Sequence, residues 1–159
     1  MNTFLPFPNF YDSAHCLDTK RLRNQLNEYK VIKAALNGAK AWARHPATLM
    51  WQDNQAALDA YACHIAREMA HRGLPVPEWA PVLVDPDYTY PRWFGNEAFH
   101  MSHKRNLLRK DACWYSQFFG LELEDDVYAW PTKQPDGSWI LRFKQVGAKK
   151  YQEHVEHFL

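Results

Sequence analysis

Three polar side chains follow one line along a predicted helix, and their chemical types are suited to acid and base catalysis. Residues 22–38, LRNQLNEYKVIKAALNG, repeat apolar residues at helical spacing and end in an Asn-Gly pair that suits a helix C-terminus. Beside that apolar stripe lie Arg21, Gln25 and Glu28, four and three residues apart. The line is either a helix edge whose polar groups pair with one another, or the wall of a pocket in which the carboxylate transfers protons.

Two further segments place histidines three or four residues apart on one helix face: Glu97, His100 and His103, and His64, Glu68 and His71. Either set offers metal-binding atoms, and a metal-dependent hydrolase is one hypothesis that they raise. Neither set has the spacing of a zinc protease helix or of a Cys/His zinc knuckle. We therefore expect no metal and no cofactor, and we expect these histidines to bond within the core or to contact phosphate.

A basic run, HKRNLLRKD, covers residues 103–111, and the aromatic stretch WYSQFF follows at residues 114–119. Cations near a helix C-terminus suit the helix dipole, so the run is either a solvated helix end or a patch that grips phosphates. Most of the aromatic stretch should be core, and one exposed ring would be able to stack on a base. The sequence contains no P-loop, no Rossmann glycine pattern and no GxSxG motif.

Composition indicates one well-packed globular chain. Of its 159 residues, 47% are hydrophobic and 15% are aromatic, which argues against global disorder. The net charge of +1 does not decide for or against nucleic acid, because a basic face can exist in a neutral total. Three widely spaced cysteines without a CxxC motif indicate a reducing compartment. We expect a cytoplasmic protein without a signal peptide or a membrane span of about 20 apolar residues.

The elements that must position these residues are mostly helices. We predict helices over about residues 14–37, 47–72 and 96–109, a short helix before Gly120, and a proline-rich loop over residues 74–93. A Pro-Asp-Gly turn at residues 135–137 between two β-branched and aromatic runs predicts a hairpin, and residues 148–159 a short closing helix. The predicted fold is mainly α: a compact helical single domain over residues 1–159, with a helical core at 1–120 and a C-terminal β-hairpin extension at 121–159.

Several stretches, in order, resemble the pyrimidine-dimer DNA glycosylase family, the endonuclease V type of phages and bacteria. The matching pieces are MNTFLPFP, LDTKRLRNQLNEYKVIKAALNG, RHPATLMW, REMAHRGL, FGNEAFHMSHKRNLLRK and WYSQFFG, which together span roughly residues 1–120. The resemblance implies a mostly helical, metal-independent enzyme. In this family the α-amine of the chain attacks C1′ of a damaged nucleotide and forms a Schiff base, and β-elimination then cuts the strand.

Carried onto this chain, the resemblance implies Met1 as the nucleophile and Glu28 as the catalytic carboxylate. An α-amine has a pKa of about 7.7–8.0, so a useful fraction is unprotonated at neutral pH. Asn at position 2 usually protects the initiator Met from removal, and Asn2 would supply the amine if Met1 were removed. Asn2 and Asn27 stand where the best-known phage member has arginines, so a damaged or modified base other than a pyrimidine dimer stays open as the substrate.

The expected partner is double-stranded DNA that contains a damaged or modified base. The residues that we expect to bind it are Asn2, Arg21, Arg23, Gln25, His45, His103, Lys104, Arg105, Arg109 and Lys110. We expect a monomer without a membrane partner, in the cytoplasm of a bacterial or phage-infected cell and at the nucleoid when bound to DNA. The alternative is a non-catalytic nucleic-acid-binding helical module on the same scaffold.

Overall fold

The computed structural model describes residues 1–82, 85–120 and 127–147, together with the backbone of Val155–Phe158. In chain order these residues form six α-helices and three β-strands: α1 Phe10–His15, α2 Thr19–Leu36, α3 Pro46–Leu49, α4 Gln55–His71, α5 Glu97–Lys110, α6 Ala112–Tyr115, β1 Val127–Lys133, β2 Trp139–Gln145 and β3 Val155–Phe158. The predicted fold class, mainly helical with a C-terminal β-hairpin, is confirmed. None of the helices described is both long enough and apolar enough to cross a membrane.

The chain divides into two compact units. The first unit comprises Met1–Phe4 and Asn9–Pro91, and the second comprises Leu5–Pro8 and Arg92–Leu159. The first unit therefore contains α1 to α4, and the second contains α5, α6 and the strands. The single domain that we predict over residues 1–159 stays a prediction.

The helix predicted over residues 14–37 is two helices in the structure. The Asn9 side chain caps α1 by accepting a hydrogen bond from Asp12 N, and the Asp18 side chain caps α2 by accepting one from Arg21 N. A carboxylate that bonds free N–H groups favours a helix start over a helix interior, and this explains the break before α2. The predicted stop is confirmed, because α2 ends before Gly38, whose φ of +105° suits glycine.

The helix predicted over residues 47–72 is also divided in two. Pro46 occupies the first turn of α3 as predicted, since its missing N–H leaves no bond unmade there. A turn follows, and α4 begins after Asn54 and ends before Gly73, which has a φ of +69°. Between these bounds α4 packs against α2 and α1 in the first unit.

A polar contact fixes α4 against α2. Lys33 Nζ lies 2.8 Å from both carboxylate oxygens of Asp59, and Tyr29 OH donates to Asp59 Oδ1 at 2.8 Å. Burial raises the pKa of Tyr29 above its ordinary value, and the hydrogen bond to Asp59 raises it further. The phenol is therefore a donor at neutral pH, and the contact holds α2, the helix that carries Glu28, against α4.

The second unit packs α5 against β1. Asn96 caps α5 as predicted, because its side chain accepts a hydrogen bond from Phe99 N at 3.0 Å. Ser102 Oγ accepts a hydrogen bond from Ala129 N at 3.2 Å, and Asn106 Nδ2 donates to Val127 O at 3.1 Å. The helix therefore supplies partners to backbone groups of the adjacent strand.

The strands form an antiparallel sheet in the order β1-β2-β3. Trp130 of β1 stands opposite Arg142 of β2, and Gly137 closes the predicted turn with a φ of +86°. The closing helix predicted within residues 148–159 is wrong where the structure describes that segment. Val155–Phe158 pair with β2, which satisfies backbone groups along that edge, and the rest of the segment lies outside the described residues.

Candidate active site

The start of the chain is fastened to α2 by the side chain of Gln25. Phe4 N donates to Gln25 Oε1 at 2.9 Å, and Gln25 Nε2 donates to Asn2 O at 3.3 Å. One carboxamide thus bonds the backbone on both sides of Thr3, much as a neighbouring β-strand would. Gln25 is fully buried, so these bonds form away from water and hold residues 2–4 in one position.

Two aromatic side chains complete this attachment, which we call the N-terminal clamp (Gln25, Trp51 and Tyr61). Tyr61 OH lies 2.6 Å from Gln25 Oε1 and 3.1 Å from Phe4 O, so one hydroxyl donor is shared between two acceptors. Trp51 Nε1 donates to Thr3 Oγ1 at 3.1 Å. Trp51 and Tyr61 are fully buried, and their rigid rings fix the segment from the side opposite to solvent.

Glu28 lies one helical turn beyond Gln25 on α2 and is half-buried. Its Oε1 accepts a hydrogen bond from Asn24 Nδ2 at 3.0 Å, which orients the carboxylate. Met1 is half-buried and directly precedes the clamped residues. Arg21, at the other end of the polar line, donates to Asp18 Oδ2 at 2.6 Å.

The Asn2 side chain is buried without being satisfied. Only 7% of the residue is exposed, and neither Oδ1 nor Nδ2 has a hydrogen-bond partner among the residues that the structure describes. A buried donor or acceptor without a partner destabilises the folded state by about 1–3 kcal/mol. Both the oxygen and the nitrogen of the Asn2 carboxamide are buried without a partner among the described residues, one residue after the α-amine of Met1. Packing alone does not explain a polar side chain at this position.

The predicted DNA-binding residues of the first unit differ in their exposure. Arg23 is exposed, and Arg21 is half-buried against Asp18. His45 is half-buried and caps α3, since its Nδ1 accepts a hydrogen bond from Ala47 N at 3.1 Å. Gln25 is fully buried and both ends of its amide bond the chain start, and the DNA contact that we predict for it stays a prediction.

In the second unit, the structure places His103 in the core, and the phosphate contact that we predict for it stays a prediction. The residue is fully buried, and its Nδ1 accepts a hydrogen bond from Leu5 N at 3.1 Å. Burial, together with the nearby His100, lowers the pKa of His103 to about 3, so the imidazole is neutral at pH 7. His100 bonds the same residue, with Nδ1 at 2.7 Å from Leu5 O, while its Nε2 accepts from Gly95 N at 2.9 Å.

The cations that surround His103 in the sequence lie nearer the surface. Lys110 is exposed, and the other three are half-buried. Lys104 Nζ lies 4.8 Å from the centre of the Phe7 ring, and Arg109 donates to Asn106 Oδ1 at 2.7 Å. Lys104, Arg105, Arg109 and Lys110 thus stay candidates for phosphate contact, and their role in DNA binding stays a prediction.

The first 78 residues, just under half of the chain, match a known family. The sequence model of the family described as pyrimidine dimer DNA glycosylase matches residues 1–78. Residues 1–78 belong to the pyrimidine dimer DNA glycosylase family. Neither a curated protein nor a solved structure matches the chain.

The glycosylase-family region contains Met1, Glu28 and the whole N-terminal clamp, together with α1 to α4. Family membership supports a DNA repair glycosylase, whose substrate is DNA with pyrimidine dimers. The match ends at residue 78, so the resemblance that we describe for residues 94–120 stays a prediction. The family residues and the buried attachment of the chain start therefore lie in the same part of the molecule.

The histidine faces do not assemble into a metal centre. Within the described ranges, no group of three or more His, Cys, Asp or Glu side chains is placed to hold a metal ion. His64, Glu68 and His71 line a cavity of about 320 Å³ with Tyr11, Ala14 and Arg67. Glu68 accepts a hydrogen bond from Arg72 Nε at 2.7 Å, so its carboxylate is already paired.

The structure adds residues of the glycosylase-family region that sequence reasoning missed. A second cavity, of about 600 Å³, is lined by Lys40, Trp42, Ala43, Arg44 and His45, and only His45 is among the predicted DNA-binding residues. A tryptophan between two cations in a predicted loop is a sequence signal that points to this site. Tyr61 carried no such signal, because its apolar helix face identifies it only as core.

Proposed function

We propose that this protein is a DNA repair glycosylase with AP-lyase activity that acts on double-stranded DNA. Its substrates would be pyrimidine dimers or other damaged or modified bases. The nucleophile is the α-amine of Met1, or that of Asn2 if Met1 is removed, and Glu28 is the acid and base. The coarser part of this proposal follows from the family of residues 1–78, and the mechanism is our inference.

The N-terminal clamp is the observation that supports the mechanism most directly. Chain ends are ordinarily the least ordered part of a domain. Here the backbone of Asn2 and Phe4 is bonded to buried Gln25, one helical turn before Glu28. A terminal amine used as a nucleophile has to be held within a few ångströms of C1′, and such a fixed chain start is what proximity catalysis requires.

The proposed reaction begins when the lone pair of the α-amine forms a bond to C1′. The bond between C1′ and the base breaks, and the base leaves with the bonding electrons and takes up a proton. Opening of the sugar ring gives a protonated Schiff base between the amine and C1′. Loss of a proton from C2′ then expels the 3′-phosphate, which cuts the strand, and water releases the amine.

Glu28 is suited to two tasks in this reaction. As a carboxylate it stabilises the positive charge that develops on the sugar while the base leaves. It also transfers protons during ring opening and elimination, a role that contributes about 10²–10⁴-fold to rates in enzymes. Glu28 is half-buried, and its carboxylate accepts a hydrogen bond from the exposed Asn24 one helical turn earlier, which favours one orientation of the side chain.

We further propose that the reaction needs no metal and that the protein works as a monomer in the cytoplasm, at the nucleoid when bound to DNA. The phosphate contacts would come from the candidates that retain access to solvent: Arg21, Arg23, His45, Lys104, Arg105, Arg109 and Lys110. Each neutralised phosphate releases counterions, so we expect affinity for DNA to fall steeply with salt concentration.

Borohydride trapping tests the proposal. The purified full chain is incubated with a duplex that contains a single abasic site, and in parallel with a UV-irradiated duplex, in the presence of borohydride. A reduced Schiff base gives a covalent protein–DNA adduct. We expect an adduct on both duplexes and none after N-terminal acetylation, and an intact-mass spectrum identifies the residue that carries the amine.

Glu28→Gln tests the carboxylate, with Glu78→Gln as the matched control at an exposed glutamate of the same unit. We expect Glu28→Gln to slow trapping on irradiated DNA about 100-fold or more and Glu78→Gln to leave it unchanged. Salt-sensitive DNA binding without an adduct on any abasic duplex, and without an effect of Glu28→Gln, would establish the non-catalytic binding module instead.

A further inference from the structure

The loop of residues 39–45, which we call the Trp42 loop, holds a large aromatic ring in solvent. Trp42 is 53% exposed, although a tryptophan gains stability mainly by burial. Its φ is +63°, and among the residues described it is the only one other than glycine with a positive φ. A bulky side chain in the left-handed region costs free energy, and such strain is concentrated at functional sites.

Hydrogen bonds on both sides fix the Trp42 loop. Ala39 N donates to Ala34 O at 3.0 Å at the end of α2, and His45 N donates to Trp42 O at 3.0 Å. The His45 ring stands edge-on to the Trp42 ring, with 5.5 Å between the ring centres. Because His45 also caps α3, the indole is presented from a rigid base rather than from a mobile loop.

The charged side chains of the Trp42 loop itself are positive. Lys40 and Arg44 flank Trp42, both are exposed, and neither takes part in an ion pair with another described residue. Residues 38–50 contain no Asp or Glu. Two free cations beside an exposed indole and a cavity of about 600 Å³ form a site that matches an anionic ligand with an aromatic group.

We propose that the Trp42 loop binds damaged duplex DNA, with the indole stacked on a base that has lost its pairing partner and with Lys40 and Arg44 on the flanking phosphates. The inference rests on the proposed function for its ligand, damaged DNA. Every base has a π face, so stacking is tolerant of sequence, and an unpaired base offers that face at the lowest unstacking cost. Fully paired DNA offers it least, and the loop therefore favours the damaged site.

Trp42→Gly tests the site without disturbing the fold. Glycine accepts a positive φ without strain, so we expect the variant to melt at or above the temperature of the wild type. Trp42→Phe retains a ring and serves as the conservative variant. Trp79→Ala is the matched control, since Trp79 is also exposed, at 43%, and lies in the same unit.

The probe is a duplex with a tetrahydrofuran abasic analogue, which cannot form a Schiff base, opposite 2-aminopurine. We expect the wild type to quench the 2-aminopurine fluorescence, and Trp42→Gly to lose that quenching and bind at least about fivefold more weakly. The affinity of Trp42→Gly for a fully paired duplex should differ from that of the wild type by less than about twofold, which is the usual size of the effect of a surface substitution. Trp42→Phe, which keeps a ring that can stack, should retain most of the wild-type affinity, and Trp79→Ala should bind and quench as the wild type does.

Wild-type affinity and quenching in Trp42→Gly would overturn the inference. Borohydride trapping by the wild type, run in parallel on an abasic duplex, keeps this failure distinct from failure of the proposed function. An adduct with the wild type, together with wild-type affinity and quenching in Trp42→Gly, rejects the stacking site alone. Quenching that depends on Trp42, without any adduct, supports the stacking site and rejects the enzymatic proposal.

Discussion

Gln25→Met removes the hydrogen bonds of the N-terminal clamp while it keeps the length of the side chain. The substitution takes the acceptor from Phe4 N and the donor from Asn2 O, and both residues are buried. Each buried backbone group left without a partner costs about 1–3 kcal/mol, so the free energy of unfolding should fall by about 2–6 kcal/mol. Tyr61 keeps its second acceptor, Phe4 O, and limits the loss.

Denaturant unfolding measures this change, with Gln55→Met as the control at a partly exposed glutamine of the same unit. We expect Gln55→Met to alter the free energy of unfolding by less than about 0.5 kcal/mol. Tyr61→Phe removes a single shared donor and should cost about 1 kcal/mol. If the clamp stabilises the fold as described, the loss of unfolding free energy is largest for Gln25→Met, smaller for Tyr61→Phe and smallest for Gln55→Met.

The same variant tests the link between the clamp and the proposed chemistry. At a temperature where Gln25→Met is still folded, the rate of borohydride trapping should fall at least tenfold relative to the wild type, because the amine is no longer held beside C1′. A variant that loses less than about 1 kcal/mol of stability would refute the energetic reasoning. A destabilised variant with a wild-type trapping rate would refute the functional reasoning.

Three further predictions concern stability. His103 titrates at 6.5 when unfolded and near 3 when folded, so the unfolded state binds more protons between these values. Unfolding free energy should be unaffected above pH 6.5 and fall below it by up to about 1.4 kcal/mol per pH unit, and denaturant unfolding of His103→Asn should show a flatter pH profile. Gly73→Ala should cost about 1 kcal/mol in thermal unfolding because of the positive φ, whereas Gly120→Ala, in equally open space, should cost less. Asn2→Leu should raise the melting temperature by removing an unsatisfied buried amide, and should weaken trapping if that amide contacts substrate.

Local chemistry made much of the fold predictable. Pro46, Gly73 and Asn96 act through their own backbone preferences, and each begins or ends a helix where the sequence predicts it. Two predictions were wrong because each joined two separate helices into one. Helical periodicity continues through Asp18 and Asn54, so a pattern of apolar residues does not reveal that the chain turns at these positions.

The candidate site depends on contacts that are distant in sequence. Gln25 lies on the predicted polar line, but only the fold shows that its partners are residues 2 and 4. In the sequence His103 belongs to a basic run, but it lies four residues before Leu107, and both residues are fully buried. That spacing places His103 on the apolar face of α5, and it is a signal that identifies a core histidine without the structure.

The burial of the chain start has a cost that helps to explain why a clamp is present. Residues 2–6 are buried, and fixing the backbone of one residue opposes folding by about 1–2 kcal/mol. Burial of Phe4 and Leu5 offsets part of that cost, but Asn2 adds to it with an unsatisfied amide. A terminus that only covered the core would be more stable with an apolar side chain at position 2. A strongly held backbone combined with an unsatisfied polar side chain is instead typical of a pre-organised site. Such a site keeps an ordered arrangement even though that arrangement lowers the stability of the fold.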